Sequence, residues 1–204
     1  MFIAVILISA TASVFLFKDR IVQQFIREAN KSLNTPVKIA DIDISLLNDF
    51  PNLAIICRDV YIEDSHPGQY PLFTATTLYF FLNPIEVWQG KYSIRGLRIN
   101  DSETNLKVNE AGQANYDILK KIESTESSSI GFDLRNVRLR NTIVRYNDIK
   151  SNLDHAFSSS DLSGTIIMKD HLYDITAKGD LTIDQLGVDQ QKYLVNKFLM
   201  PMHH

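Results

Sequence analysis

The side chains able to do chemistry are few and scattered. The histidines are His66, His155, His171, His203 and His204, and none stands in an HExxH or comparable metal-ligand spacing. Asp154-His155 and Asp170-His171 each set an acid beside an imidazole. Neighbours in a strand point to opposite faces, however, so neither pair reads as a catalytic couple. Asp41 and Asp43 share one strand face and would suit a cation, but their alternation with Ile42 and Ile44 reads more simply as a solvated outer face. Cys57, the single cysteine, sits in an apolar strand without an evident base, which favours packing over nucleophilic attack. His66 precedes Pro67-Gly68 in a turn and belongs at the surface. No GxSxG elbow or phosphate-binding loop is present. These residues describe no enzyme: no catalytic residue, no metal and no cofactor is expected.

Composition narrows the field further. The chain has 204 residues, 45% hydrophobic and 22% charged, enough to bury a core. Lys+Arg 21 against Asp+Glu 24 leaves a net charge of -3, which lacks the basic footprint of a nucleic-acid binder. One cysteine excludes an intramolecular disulfide framework and any Cys-cluster zinc site.

Phe2 to Phe17 carries no charged side chain, and Lys18-Asp19-Arg20 ends the run. As a helix it reaches about 24 Å, slightly short of the ~30 Å hydrocarbon core. It suits a membrane span truncated at its start. A secretory signal peptide, with Ala10-Thr11-Ala12 as cleavage site, and a buried core helix are the competing readings. Ile21, Val22, Phe25, Ile26, Ala29 and Leu33 then recur at helical spacing until Asn34-Thr35-Pro36. This amphipathic helix either packs on the end of the sheet or lies at the membrane surface, closing one end of a lipid-accepting groove. The expected organisation is a transmembrane helix over 1–17, the amphipathic helix over 18–34 and a β-domain over 35–204, incomplete at its C-terminus.

After Pro36 the hydrophobic period becomes two. Val37 and Ile39, then Ile42, Ile44 and Leu46, alternate with polar residues, and the phase slip at Ala40 predicts a bulge. Leu53 to Ile62 and Thr74 to Leu82 are further strands. In the latter, Tyr79 and Phe81 share one side, while Leu78, Phe80 and Leu82 share the other. Ser93 to Asn100 and Thr104 to Val108 read as a hairpin joined through Asp101-Ser102, and Phe132 to Leu139 with Thr142 to Tyr146 as a similar pair. Gly164 to Met168, Leu172 to Ala177 and Gly179 to Ile183 complete roughly ten strands. Polar loops are expected at Glu123 to Ser129 and Ser158 to Asp161, and helical turns at Pro84 to Gln89 and Asn115 to Lys121. Trp88, near Pro84, suits a core anchor or an interface contact.

Ten exposed Leu, Ile or Phe side chains would forgo about 15–30 kcal/mol, more than the ~5–15 kcal/mol of net stability that a domain has. The apolar face must therefore be covered. Either the sheet closes on itself as a sandwich or barrel, or it stays an open trough that meets another apolar body such as acyl chains.

The order of these segments resembles the N-terminus of bacterial AsmA-like proteins, particularly the Bacteroidetes type. The likeness rests on Leu33-Asn34-Thr35-Pro36-Val37-Lys38-Ile39, Asp41-Ile42-Asp43-Ile44-Ser45-Leu46 and Phe50-Pro51-Asn52-Leu53. Gly112-Gln113-Ala114-Asn115-Tyr116-Asp117-Ile118-Leu119, Asn141-Thr142-Ile143-Val144-Arg145-Tyr146-Asn147-Asp148 and Asp161-Leu162-Ser163-Gly164 extend it. The resemblance implies a mainly β fold: an N-terminal membrane helix, then an elongated, curved antiparallel sheet forming an open apolar groove, related to the chorein-type lipid-transfer proteins. It also implies a single-pass inner-membrane protein with its bulk in the periplasm, conducting phospholipid passively in support of outer-membrane biogenesis and envelope homeostasis. Its partners would be phospholipid, the inner membrane and other envelope proteins, and no nucleic acid. Ten strands at ~4.8 Å spacing make a groove of about 50 Å, a piece of a larger assembly. Alternation nominates Ile42, Ile44, Leu46, Leu97, Ile99, Leu106 and Val108 as lipid-contacting residues. A periplasmic scaffold with a closed β-sandwich core is the alternative.

Overall fold

The computed structural model describes residues 22–23, 26–27, 33–46, 50–66, 68, 70–91, 93–118, 132–169, 172–189 and 191–199. The expected membrane span over 2–17 and the polar loop over 123–129 lie outside them. Of the amphipathic segment, Val22 and Ile26 are helical and partly buried, whereas Gln23 and Arg27 are helical and exposed, as its stripe requires.

Nine strands and one short helix follow: β1 (Val37–Ser45), β2 (Leu53–Glu63), β3 (Pro71–Leu82), α1 (Pro84–Trp88), β4 (Ile94–Val108), β5 (Phe132–Asp148), β6 (Leu153–Lys169), β7 (Leu172–Gly179), β8 (Leu181–Val188) and β9 (Gln191–Leu199). They form one curved, open sheet in the order β1-β2-β3-β4-β5-β6-β8-β9, with β7 also on β6. β6 is shared: its first half pairs with β8 and its second half with β7. At about 4.8 Å per strand, the eight strands on the main path extend about 34 Å from axis to axis. All described strands belong to this sheet, so the second layer of a closed sandwich is not found among the described residues.

The expected antiparallel sheet has one exception. β4 and β5 run parallel, with Leu97 opposite Val137 and Thr104 opposite Val144. Parallel neighbours need a long return connection rather than a tight turn, and residues 109–131 supply it. Gly112 turns the chain with φ +80, Ala114 bridges back to Val108, and the Asn115 side chain anchors the segment. Asn115 is fully buried; its Nδ2 donates to Asn105 O at 2.9 Å and to Asp64 Oδ2 at 3.2 Å, and its Oδ1 accepts from Lys107 N at 2.7 Å. The helical turn expected from Asn115 is a non-helical turn as far as Ile118, beyond which the chain lies outside the described residues. The expected turn at Pro84 is present: Asn83 Oδ1 caps it by accepting from Ile85 N at 2.9 Å, and Pro84 pre-sets its first position.

Both predicted hairpins are instead single long strands. β4 continues through Asp101-Ser102, and β5 continues through Asn141. Asp101 and Asn141 take left-handed φ values of 52 and 49, which bend a strand without reversing it. Ser158 to Asp161, expected as a loop, likewise lies inside β6. Gly179 ends β7 rather than opening a strand, because its φ of +148 is closed to other residues and a Cβ there would run into Asp161 O.

These bends line up across the sheet. Register places Ala40, Asp59, Thr76, Asp101, Asn141 and Ser160 side by side on β1 to β6. Asp59 is also left-handed, with φ 49. At this line each strand slips one residue in side-chain phase, for example from Cys57 to Val60 on β2 and from Ile99 to Ser102 on β4. The same face therefore stays inward on both sides of the bend. Burial fixes the sense of curvature. On one face the residues beside the line are buried, Cys57 at 0%, Val60 at 3% and Ser102 at 5% exposure, together with Ala75, Thr142 and Ser159. On the other face Arg58, Asp101, Arg140, Asn141 and Asp161 are exposed. The line is the keel of a trough whose concave side is the first of these faces.

Candidate functional site: the concave face

Rows of cross-strand neighbours line each wall of the trough. One wall carries Ile42, Cys57, Leu78, Ile99, Leu139 and Leu162 in register, with Ile44, Ile55, Phe80, Leu97 and Val137 above them. The opposite wall carries Val37, Ile62, Phe73, Thr104, Val144, Phe157 and Ile183. Strand alternation supplies this pattern, and the shared phase slip at the keel carries it from wall to wall.

All seven residues nominated from the sequence lie on this one face. Ile42, Ile44, Leu46, Leu97 and Ile99 belong to or pack against the main hydrophobic cluster, on one side of the keel. Leu106 and Val108 lie on the other side, where Leu106 stands in register with Tyr146, His155 and Leu186. Sequence reading missed Leu139, Val144, Phe157 and Leu186 as members. Reading β5 as a hairpin, and β6 as a loop over Ser158 to Asp161 before a short strand from Gly164, hid that these strands cross the whole face.

Among the described residues the trough is covered at one end. Between β1 and β3 the cluster around Leu53, Ile55, Cys57 and Leu82 is buried beneath Val87 of α1 and touched by Val22. From β4 to β8, Leu97, Ile99, Leu106, Leu139, Val144, Phe157, Ile183 and Leu186 remain partly exposed. At the β7 edge Ile175, in register with Ile166, is 64% exposed. Of the amphipathic segment, Val22 packs against the main hydrophobic cluster.

Polar groups on the concave face are few and sit at the keel and one rim. Ser102 Oγ and Thr142 Oγ1 share a hydrogen bond of 2.6 Å, and Ser159 Oγ next to them is buried with no partner among the described residues. His155 lies between Tyr146 and Phe157, with both ring centroids 6.3 Å away. At the rim, Asp148 accepts from Ser151 N at 2.9 Å and from Tyr146 OH at 3.2 Å, and these bonds hold its carboxyl below the usual carboxylate range. Tyr146 rises in turn through burial and the Asp148 charge. Among the described residues no group of three His, Cys, Asp or Glu could hold a metal. Burial pushes the Cys57 thiol up to about 12, which keeps it protonated and unreactive.

The convex face carries the ion pairs, beside an apolar cluster of Ala54, Ile56 and Phe81 that is buried on the same side of β2 and β3. Arg58 pairs with Asp41 and lies 4.0 Å from Asp43, Arg145 pairs with Glu103, and Arg138 lies 3.6 Å from Asp161. Asp41 and Asp43 thus belong to a solvated arginine pair, and such exposed pairs contribute only about 0–1 kcal/mol each. Tyr79 and Phe81, which share a side as expected, lie on this face and stack at 6.2 Å beneath the Arg98 guanidinium. Asp154 also faces outward and accepts from the Gln185 amide, whereas His155 faces the trough, so the pair is split across the sheet. His66 Nε2 lies 3.1 Å from Gln113 O in the loop region beside β2. Asp170, His171, His203 and His204 lie outside the described residues. Trp88, expected as an anchor or a contact, is no core residue: it is 81% exposed.

A concave face with apolar walls and polar groups at its keel and rim can take an amphiphile with its tails inward and its headgroup at the rim. No family model matches this chain, and no curated protein matches it.

Proposed function

We propose that the protein is a membrane-anchored, periplasmic, AsmA-like conductor of phospholipid, with acyl chains lying along the keel and headgroups held in water at the rims. One observation carries this reading. The concave face carries apolar rows across seven strands, and from β4 onward Leu106, Leu139, Val144, Phe157, Ile183 and Leu186 stay only partly buried among the described residues. Each large side chain left in water forgoes about 1.5–3 kcal/mol, so an apolar occupant is favoured there. The absence of convergent polar chemistry fits passive conduction, which needs shape and apolarity only. The apolar run Phe2 to Phe17 supplies the anchor and brings the trough within reach of lipid.

The test is to extract the full chain from membranes in mild detergent and analyse bound lipid by mass spectrometry. Phospholipid at a fixed ratio to protein supports the reading. Lipid-free protein with an unchanged fold would overturn it.

A further inference from the structure

We infer that the end of the sheet formed by the β1–β2 turn and α1 rests on the phospholipid bilayer surface. Phe50 on that turn is 69% exposed, and Ile85 and Trp88 on α1 are 67% and 81% exposed. Leu53 and Leu82, which follow the turn and precede α1, are cross-strand neighbours, so both projections leave the sheet at one end. Val87 alone of the apolar residues of α1 turns into the core, and this fixes Ile85 and Trp88 outward. Of the charged residues nearby, Glu86 is paired with Arg95, Lys91 is exposed after the helix and Asp49 precedes Phe50 in the sequence. Solvated proteins seldom leave three such side chains bare on adjacent projections. Tryptophan is favoured at the membrane–water interface, where its apolar body meets a polar boundary.

The course of the chain selects a bilayer over a protein partner. Val22 touches the core cluster on the concave face, whereas Asn34 lies beyond the opposite end of the sheet, where its N–H donates to Ile118 O. Going backwards from Asn34 to Val22 therefore leads towards the Phe50 and Trp88 end, and the apolar run Phe2 to Phe17 precedes Val22. The inference rests on the reading of that run as a membrane anchor.

Trp88 is the single tryptophan, so its emission reports this end alone. The full chain is reconstituted in phosphatidylethanolamine–phosphatidylglycerol vesicles containing phosphatidylcholine brominated near the acyl carbonyls. Blue-shifted emission that loses about half its intensity to the bromolipid is expected for an interfacial indole. Replacing Phe50→Ser and Ile85→Ser together should return the emission to that of an indole in water while flotation with vesicles persists. Flotation with unquenched, water-like emission in the parent protein would overturn the docking and leave the anchor standing. Blue-shifted emission without quenching would mean that protein covers the tip, and it too overturns the docking. Failure to float would remove the anchor, and the docking with it.

Discussion

Asn141 Nδ2 donates to Asp101 Oδ1 at 2.9 Å, joining the left-handed residues of β4 and β5 on the convex side of the keel. The parallel junction is thus bent in both strands at one height. Asparagine and aspartate tolerate this backbone region better than other side chains, and a β-branched residue tolerates it worst. Asn141→Val should lower stability to urea by about 2 kcal/mol, combining strain with the lost bond. Asn141→Gly removes the bond but not the permitted conformation, so it should cost less than half as much. Equal costs would show that the bend makes no demand on residue type.

Phe157 and Ser158 are neighbours on β6 and face opposite sides of the sheet. Phe157→Glu should sharply reduce phospholipid recovered with the purified protein, because a carboxylate in the trough repels acyl chains. Ser158→Glu should leave recovery unchanged. Circular dichroism on both variants separates loss of lipid from loss of fold.

Cys57 should resist iodoacetamide in the folded protein at pH 8 and react at once in denaturant, since its thiol is buried and its pKa is raised to about 12. Unfolded chains ionise this group near its ordinary 9.0. Its contribution to stability is therefore complete below pH 9 and is lost as pH rises towards about 12. A Cys57→Ala variant should lose that part of the alkaline decline. Cys57→Ser should be less stable than the parent by about 1–3 kcal/mol, for want of a partner for its hydroxyl.

The carboxylate of Asp180 closes the step between β7 and β8. It accepts from Ser160 N and Asp161 N, both at 2.8 Å, and from Ser160 Oγ at 3.0 Å. The backbone bonds, that of Ser160 first, lower its pKa below the usual 3.8. A lowered carboxylate stabilises above the unfolded pKa and ceases to do so as pH falls through the folded one. Asp180→Ala should thus be less stable than the parent at neutral pH, with the gap narrowing in acid-unfolding curves below pH 3.8. A gap independent of pH would show that ionisation of the group contributes nothing.

Alternation made the inward face readable before any coordinates, since the seven residues nominated from period-two spacing share it. The phase slip at Ala40 was legible too, but it is no bulge as expected: β1 and β2 stay paired one for one across it, because Asp59 slips opposite Ala40. Asp101 and Asn141 misled for a physical reason. The property that lets these side chains occupy a left-handed bend also places them in hairpin turns, so residue type alone does not separate a bend from a reversal. The parallel β4–β5 pairing was hidden because its connection, residues 109–131, offers in sequence only the short helical turn read over Asn115 to Lys121, too little to announce a crossover. In β6, Asp154 and the serines 158–160 dilute the apolar signal, although Phe157 and Leu162 face the trough. Trp88 looked like an anchor because indoles usually bury; its helix is too short to turn more than Val87 inward.

Because each strand carries its own inflection at the same height, the profile of the trough repeats from strand to strand and does not depend on how many there are. A sheet built this way can be lengthened like an extrusion: a further strand with one permissive residue at the matching level prolongs the channel at constant bore. The parallel step shows that even chain direction can change without altering that profile.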